Sequence, residues 1–242
     1  MLRSQINKWI RSAKEFFKLM NWNLPPLADL TIHDWKEIMR DPQLKRKYSA
    51  VIERGLGWDL SDFGSGNFEK TGLLLFTMRN GSEGSAKTYA EKIMIQRDGQ
   101  VTPFHYHWSK MEDIINRGGG NLNIQLYNAD PNDNPSPVDS WTHGIFDDSD
   151  VEYIHDGMKE HVPAGKKVVL TPGESITLPS RVYHSFCGQD KKGWVLVGEV
   201  SQVNDDEMDN RFYEEIPRFG DIENDEPPIH LLVNEYERAE EF

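Results

Sequence analysis

The stretch that decides the fold is Gly99-Gln-Val-Thr-Pro-Phe-His105-Tyr-His107-Trp-Ser-Lys110-Met-Glu112. His105 and His107 are two residues apart, so their side chains share one face of an extended strand. Glu112 can return to that face on the next strand, and the distant His184 can complete three nitrogen ligands and one oxygen ligand. Such a set suits a divalent transition metal and can leave coordination positions open for a substrate. The stretch therefore predicts a metalloenzyme.

Two blocks of the sequence have the spacing of the two cupin motifs. The landmarks of the first block are Gly99, His105, His107, Glu112 and Gly119, and those of the second are Gly173, Pro179 and His184. In the second block, Arg181 and Gly188 stand where glycine and asparagine are usual, which affects turns and not ligands. The resemblance implies a mainly β fold, the double-stranded β-helix or jelly-roll barrel of the cupins, with the glycines at sharp turns.

Short apolar runs bounded by Gly, Pro, Asn or Asp recur from residue 68 onward. They are Leu73–Arg79, Glu91–Arg97, Thr102–Trp108, Leu122–Tyr127, Lys167–Thr171, Ser175–Leu178 and Trp194–Ser201. This spacing favours a barrel or sandwich over alternating β/α units. The polar segment 128–163 is predicted to be a long insertion between strands. The tail from Asn204 is predicted to be irregular apart from a last short strand or extended arm at Leu231–Val233. We expect the barrel to occupy residues 67–242.

The first 66 residues are predicted to be a helical extension packed on the outside of the same structural domain. Apolar residues at helical spacing indicate a helix over 4–20 with Ser4 as its N-cap. The apolar face of this helix must be buried on the barrel or, as a second interpretation, on a partner subunit. Thr31 resembles the start of a capping box, with a second helical stretch over 32–54 that is broken near Pro42.

Composition excludes several classes of protein. The 242 residues carry a formal net charge of −13, whereas a phosphate-backbone binder needs a basic surface, so we expect no nucleic acid partner. No stretch approaches the ~20 apolar residues of a membrane span, and the N-terminus does not resemble a signal peptide. Cys187 is the only cysteine, interpreted as a small buried residue, so no intramolecular disulfide can form. We expect a cytoplasmic location.

The residues around the metal site suggest the reaction. Lys110 lies between His107 and Glu112, while Lys92 and Glu199 interrupt apolar strands, where an unpaired charge is costly to bury. A metal can polarise a carbonyl or hydroxyl and stabilise an enediolate, a carboxylate can move the proton, and a lysine can stabilise charge on oxygen. This combination is typical of aldose–ketose isomerisation. The absence of thiolate ligands favours Mn²⁺ or Fe²⁺ over a closed zinc site.

Longer motifs resemble the D-lyxose isomerase family of cupins. They are Thr102-Pro-Phe-His105-Tyr-His107-Trp-Ser-Lys110-Met-Glu112-Asp-Ile-Ile-Asn-Arg-Gly-Gly-Gly120-Asn-Leu, Gly57-Trp-Asp59, Asp62-Phe-Gly64, Gly72-Leu-Leu-Leu-Phe-Thr77, Tyr89-Ala-Glu-Lys92, Glu199-Val-Ser201, Asp209-Asn-Arg211-Phe with Glu214, and Asp225-Glu-Pro-Pro. The resemblance extends from residue 3 to residue 236. It implies a homodimeric, Mn²⁺-dependent isomerase that interconverts D-lyxose and D-xylulose, and often D-mannose and D-fructose. Fe²⁺, Co²⁺ or Zn²⁺ could replace Mn²⁺.

The resemblance also implies roles for individual residues. The metal ligands would be His105, His107, Glu112 and His184, and the lysines near the sugar oxygens would be Lys92 and Lys110. Glu199 is the implied acid/base, Glu214 is its rival, and Glu112 could carry protons as well as bind metal. Further substrate contacts would be Arg211 and Asp225, together with Trp108, which could pack on the sugar or equally belong to the core.

Three other functions are compatible with a cupin metal site, because a fold does not name a reaction. An Fe²⁺-dependent dioxygenase would need an aromatic or thiol pocket and would consume oxygen. A non-catalytic sugar-binding protein would bind metal and sugar without turnover. A phosphosugar isomerase would need a basic cluster for the phosphate, which the acidic balance of the chain disfavours.

Overall fold

The structure is a computed structural model that describes residues 1–82, 84–136, 141–203, 205 and 208–242. Over these residues the helices are α1 (Arg3–Leu19), α2 (Ile32–Arg40), α3 (Pro42–Lys47) and α4 (Ser49–Glu53). The strands are β1 (Gly57–Ser61), β2 (Leu73–Arg79), β3 (Tyr89–Gln96), β4 (Val101–His107), β5 (Glu112–Gly119), β6 (Leu122–Ala129), β7 (Phe146–Asp147), β8 (Val151–His155), β9 (Met158–Val162), β10 (Lys167–Leu170), β11 (Ser175–Leu178), β12 (Val182–Gly188), β13 (Val195–Gln202) and β14 (Asn210–Phe212). Single 3-10 turns occupy Pro26–Asp29 and Tyr236–Glu241. No helix in the described ranges is long and apolar enough to cross a membrane.

Two antiparallel sheets enclose the main core. The larger has the strand order β1-β2-β3-β13-β5-β11-β8-β9, and the smaller has the order β10-β6-β12-β4-β14, with β7 beside β6. Alternate residues of each strand point inward, and the buried side chains from both sheets include Leu75, Met94, Ile114, Leu122, Ile124, Leu126, Val168, Ile176, Leu178, Phe186, Val195 and Val197. This arrangement confirms the predicted mainly β, cupin-type barrel.

Helix α1 packs on the outer face of the larger sheet. Its buried residues Ile6, Ile10, Ala13 and Phe17 recur at helical spacing and share a second core with strand residues Trp58, Leu60, Leu74, Phe76, Ile93, Ile95 and Leu196. The apolar face of this helix is therefore buried within the chain, and the subunit-interface interpretation of it was wrong. Helices α2 and α3 also lie outside the barrel, where α2 meets the C-terminal turn.

Local sequence signals predicted the start of α2 correctly but not the start of α1. Thr31 accepts from the Asp34 amide at 3.3 Å and donates its own amide to Asp34 at 2.7 Å, which confirms the capping box. Ser4 is not the N-cap of α1, because the helix begins at Arg3 and the C-terminal tail supplies Asp225, which accepts from the amide and hydroxyl of Ser4. A tail residue so distant in sequence gives no local signal.

Some strands lie where the sequence predicted none. β1 falls inside the range 1–66 assigned to the helical extension, and all five of its residues are buried through pairing with β2. The segment 128–163 contains β7, β8 and β9, and β8 joins the larger sheet beside β11 with Val151 in the core. β14 lies in the tail that was predicted to be irregular. Each of these strands has five residues or fewer, which is too short for the sequence alone to show a clear alternation.

A buried ion pair fastens the C-terminal tail to α1. Arg3 and Glu235 are both buried and contact each other through both carboxylate oxygens, and Glu235 also accepts from the Leu232 amide at 2.9 Å. We expect Glu235→Gln to lower the free energy of unfolding by about 3–5 kcal/mol, because it leaves the Arg3 guanidinium buried without its opposite charge.

Urea denaturation followed by circular dichroism measures this loss. The matched control is Glu240→Gln, which removes the exposed pair between Arg40 and Glu240 and should change stability little. Equal losses in the two variants would contradict a special role for the buried pair.

Candidate metal centre and active site

One cavity inside the barrel collects the central residues of the predicted site. It is lined by Lys92, His105, His107, Lys110, Glu112 and Glu199 on its polar part, by Leu73, Leu75, Met94, Thr102, Ile114 and Phe186 on its largely apolar part, and by Phe63, Asn210, Phe212 and Arg218. The polar side chains come from β3, β4, β5, β13 and the turn between β4 and β5. The cavity therefore combines potential metal ligands with lysines and a second carboxylate.

The four predicted metal ligands lie together. His105 and His107 face inward from β4, and His184 on β12 is the strand partner of His105. The ligand atoms of the three histidines all lie within 4.8 Å of one another. Glu112, the first residue of β5, places Oε1 3.0 Å from Nε2 of His184 and Oε2 3.2 Å from Nε2 of His107. The geometry therefore brings three nitrogens within reach of one ion, with the Glu112 carboxylate next to two of the histidines.

Backbone carbonyls orient two of the histidines. Nδ1 of His105 lies 2.9 Å from the carbonyl oxygen of Pro103, and Nδ1 of His184 lies 3.0 Å from that of Val182. A carbonyl oxygen can only accept, so Nδ1 carries the proton in both rings and Nε2 retains a lone pair. This is the arrangement that metal-binding histidines use.

The ionisation of these groups also fits a metal. Burial and the neighbouring histidines His184 and His107 lower the pKa of His105 well below its usual value, and burial and Lys110 lower the pKa of His107. Burial acts to raise the pKa of Glu112, but Lys110 and two histidines outweigh it and hold that pKa well below its usual range. Neutral imidazoles and an ionised carboxylate are the forms that bind metal.

Three buried side-chain atoms of the four residues have no hydrogen-bond partner among the residues that the structure describes. They are Nδ1 of His107, Nε2 of His184 and Oε1 of Glu112, and the last two are acceptors that lie 3.0 Å apart. An orphaned acceptor pair in a barrel interior is costly unless a cation neutralises it. The donor set therefore fits a divalent transition metal bound by His105, His107, Glu112 and His184.

A second carboxylate sits between two lysines in the same cavity. Lys110 donates to Oε1 of Glu199 at 2.9 Å, and Nζ of Lys92 lies 3.5 Å from the same oxygen. Lys110 also reaches Oε2 of Glu112 at 3.0 Å, so it links the two carboxylates. Burial acts to raise the pKa of Glu199, but Lys110 and Lys92 outweigh it and lower that pKa. Glu199 is therefore an anion beside the predicted metal ligands, which is the state required of a proton acceptor.

Strand order explains how these groups meet. β13 lies between β3 and β5, so Glu199 pairs with Lys92 on one side and with Ile114 on the other. The hydroxyl of Ser201, one strand repeat away, donates to Glu199 at 3.1 Å. These lysines and carboxylates can be buried because each one has an oppositely charged partner within the cluster.

Sequence reasoning gave no site role to Phe63, Asn210, Phe212 and Arg218, which all line the cavity. Arg218 forms an ion pair with buried Asp59 of β1, and its backbone carbonyl accepts from Ser61 at 2.6 Å. The rings of Phe63 and Phe212 meet edge to face at 5.7 Å. The motif Gly57-Trp-Asp59 was a usable signal for β1, but nothing local indicates that Arg218 reaches it.

Trp108 and Arg211 do not line this cavity. Trp108 comes directly after β4 and two residues after Tyr106, which faces away from the cavity. The guanidinium carbon of Arg181 lies 5.7 Å from the centre of the Trp108 ring. Arg211 lies between two cavity residues of β14, so its side chain points to the opposite face, where it pairs with buried Asp133 at 2.7 Å. Alternation along a strand decides both placements.

Glu214 and Asp225 also lie outside the lining. Glu214 is exposed, and its Oε2 lies 3.3 Å from Nε2 of His143. Asp225 is engaged by the first turn of α1 through Ser4. Outside the site, Cys187 is half-buried and not fully buried as predicted.

Comparison with known proteins agrees with this geometry. The model of the D-lyxose isomerase family matches residues 1–236. The chain belongs to the D-lyxose isomerase family. A D-lyxose/D-mannose isomerase of Serratia proteamaculans is 45% identical over 98% of this chain and 99% of its own length, and one of Escherichia coli O157:H7 is 44% identical over 98% of each. Membership of this family makes the chain a sugar isomerase.

Solved structures support the cupin-type fold. An L-ribose isomerase mutant of Acinetobacter sp. DL28 in complex with L-ribose aligns with a TM-score of 0.54 at 16% identity, covering 92% of this chain and 98% of that one. The L-ribose isomerase of Cellulomonas parahominis with L-ribose aligns with a TM-score of 0.53 at 14% identity over the same shares. At this identity the likeness concerns the fold.

Proposed function

We propose that this member of the D-lyxose isomerase family interconverts D-lyxose and D-xylulose, and also D-mannose and D-fructose, by proton transfer between adjacent carbons. The observation that carries the proposal is the buried Glu199 carboxylate, held as an anion by Lys92 and Lys110 in a cavity that three of the four predicted metal ligands also line. The relatives from S. proteamaculans and E. coli O157:H7 are D-lyxose/D-mannose isomerases, which supports the choice of sugars.

His105, His107, Glu112 and His184 would hold the metal. A bound divalent ion supplies positive charge that polarises the carbonyl and adjacent hydroxyl oxygens of a sugar. Three imidazoles and one carboxylate without a thiolate favour Mn²⁺, and Fe²⁺, Co²⁺ or Zn²⁺ can occupy a site of this composition. We do not expect Glu112 to carry the proton, because Oε1 contacts His184 and Oε2 contacts His107 and Lys110.

Glu199 performs the proton transfer. Its carboxylate takes the proton from the carbon next to the aldose carbonyl, which leaves an enediolate, and returns that proton to the former carbonyl carbon. The hydroxyl proton of the neighbouring oxygen passes to the former carbonyl oxygen, which completes the ketose. Lys110 and Lys92 donate hydrogen bonds to the sugar oxygens on which negative charge develops, and they keep Glu199 ionised between turnovers.

Charge balance favours a neutral sugar as substrate. The three cations of the lining are each paired with a carboxylate: Lys92 and Lys110 with Glu199, and Arg218 with Asp59. A phosphate would require uncompensated positive charge. The phosphosugar alternative is therefore disfavoured, and oxygen activation by a dioxygenase would have no use for the buried Glu199 with its two lysines.

A ketose assay tests the proposal. The protein is stripped with chelator, reloaded with Mn²⁺ and supplied separately with D-lyxose, D-mannose, L-ribose and D-xylose. We expect metal-dependent ketose formation, fastest with D-lyxose and absent in His105→Ala. Metal and sugar binding without any ketose would favour a binding protein, and oxygen uptake would favour a dioxygenase. Either result would overturn the proposal.

Arg218 gives a prediction about sugar binding. Because its guanidinium lines the cavity and is fixed by Asp59, we expect it to bind sugar hydroxyls in the ground state and transition state alike. A hydrogen bond to a charged group contributes about 1.5–3 kcal/mol, so Arg218→Met should raise KM for D-lyxose by about 10-fold to 100-fold with little change in kcat. Steady-state kinetics measures both constants.

The control for this variant is Arg79→Met, which removes an exposed ion pair with Glu91 outside the cavity. It should leave KM unchanged. A fall in kcat without a rise in KM in Arg218→Met would contradict a binding role.

The proposal extends to assembly and location. The family resemblance supports a homodimer, and exposed apolar side chains on β8, β9 and β10 (Ile154, Met158 and Val169) offer surface for it. Light scattering during gel filtration tests the dimer. The single cysteine, Cys187, is compatible with a reducing cytoplasmic setting.

A further inference from the structure

A buried polar cluster lies on the reverse side of the strands that carry the predicted metal ligands. Tyr106 stands between His105 and His107 on β4, and Tyr183 precedes His184 on β12. By strand alternation both tyrosines point away from the cavity, and both are fully buried. Their rings meet edge to face with centroids 4.7 Å apart. The two ligand strands are therefore in contact through residues adjacent to the ligands.

Asp133 binds both tyrosines. It lies in the connection between β6 and β7 and is buried. The hydroxyl of Tyr183 donates to its carboxylate, and the hydroxyl of Tyr106 lies 3.3 Å from its backbone carbonyl oxygen. Arg181 donates to the same carbonyl at 3.0 Å. A single residue thus contacts the backs of both ligand strands.

Arg211 completes the cluster. Its Nη2 donates to the Asp133 carboxylate at 2.7 Å, and it also donates to the backbone carbonyls of Thr142 and His143. On β14 it is the strand partner of Tyr106. Arg211 therefore connects β14, β4 and both described ends of the β6–β7 connection, and its buried charge is balanced by Asp133.

We infer that Asp133 and Arg211 are positioning residues for the metal centre, acting through Tyr183 and Tyr106 on His184, His105 and His107. A metal site needs its ligands held close to ideal geometry, and a histidine on a strand moves when the backbone beside it moves. The cluster fixes that backbone from the side that the cavity does not reach. This inference rests on the metal ligation in the proposed function, but not on the identity of the sugar.

Substitutions of the cluster should weaken metal binding without touching a ligand. We expect Tyr183→Phe and Asp133→Asn to raise the Mn²⁺ dissociation constant by about 10-fold to 100-fold, the range seen when supporting residues of metal ligands are lost. The EPR spectrum of bound Mn²⁺ should also change, because a distorted ligand set alters its zero-field splitting. Both measurements are independent of turnover.

The matched control is Tyr236→Phe. Tyr236 is a buried tyrosine whose hydroxyl donates to the Leu56 carbonyl at 2.7 Å, in the core that α2 forms outside the barrel. Its loss removes one buried hydrogen bond, so it should cost stability as Tyr183→Phe does, yet leave Mn²⁺ affinity and the EPR spectrum unchanged. A purely structural role for the cluster predicts no such difference between the two variants.

The experiment uses the full chain, with titration calorimetry well below the melting temperature of each variant. Should Asp133→Asn fail to fold, Tyr183→Phe decides, because it keeps the ring and removes only the hydroxyl. A folded Tyr183→Phe with unchanged Mn²⁺ affinity and an unchanged spectrum overturns the inference. Wild-type protein that binds no Mn²⁺, Fe²⁺, Co²⁺ or Zn²⁺ would instead overturn the proposed function, so the two failures are distinguishable.

Discussion

Glu199→Gln should lower kcat for D-lyxose isomerisation by about 10³-fold or more, while Mn²⁺ remains bound. The substitution keeps the shape of the side chain and removes the negative charge that accepts the proton, a contribution of about 10²-fold to 10⁴-fold for general acid–base catalysis. The metal ligands are unchanged, so metal content should equal that of the wild type.

Three measurements check this expectation. The kcat with D-lyxose gives the size of the loss, exchange of the transferred hydrogen with deuterated solvent reports the proton-transfer step itself, and metal analysis shows that the centre is intact. The KM should change much less than kcat, because the carboxylate acts mainly in the transition state.

Glu214→Gln is the matched control for this prediction. Glu214 is exposed and pairs with His143 outside the cavity, so its loss should leave kcat close to the wild-type value. If Glu214→Gln abolishes solvent exchange while Glu199→Gln retains it, the assignment of the proton carrier is reversed. The pair of variants therefore separates the two carboxylates that the sequence left open.

The second large effect should follow the loss of a metal ligand. His184→Ala removes a buried nitrogen that contacts Glu112 at 3.0 Å, and we expect it to abolish both metal binding and ketose formation. The barrel should still fold, because its core consists of apolar side chains from both sheets and does not depend on the ligands.

Thermal unfolding with and without Mn²⁺ measures this effect independently of activity. A ligand at 100 times its dissociation constant stabilises the folded state by about 2.7 kcal/mol, so wild-type protein should melt at a higher temperature when Mn²⁺ is added. His184→Ala should show no such shift. His161→Ala, which changes an exposed histidine on β9, should retain the shift and the activity. A full Mn²⁺ shift in His184→Ala would remove His184 from the ligand set.

Several parts of the molecule could be predicted because their signal is local. The amphipathic face of α1, the capping box at Thr31 and most strands of the barrel depend on residues within one or two turns or one strand of each other. The alternation of side chains along a strand could also have excluded Trp108 and Arg211 from the predicted substrate contacts. Trp108 comes two residues after Tyr106, which faces away from the cavity, and Arg211 lies between two inward residues of β14.

Other parts depended on chain segments that meet only in the folded protein. The pair of Arg218 with Asp59, the pair of Arg3 with Glu235 and the use of Asp225 at the first turn of α1 all join the C-terminal tail to the first third of the chain. The segment 128–163 was predicted to be a long insertion, because β8 offers only two buried apolar residues, Val151 and Tyr153, in a polar stretch of sequence. Pairing with β11 gives these residues their place in the core.

The sequence by itself determined the cupin-type barrel, the outer position of α1, and a set of three histidines and one glutamate able to meet at one point. It did so because a two-residue spacing on a strand and a helical spacing of apolar residues each fix a face of the element. Only the tertiary structure decided that Glu199 lies between Lys92 and Lys110, that Arg218 lines the cavity, and that Arg211 binds Asp133 behind the ligand strands. Those contacts depend on strand order and on the path of the C-terminal tail. Both are set by the packing of the whole chain, so the residues next to each contact in the sequence do not indicate it.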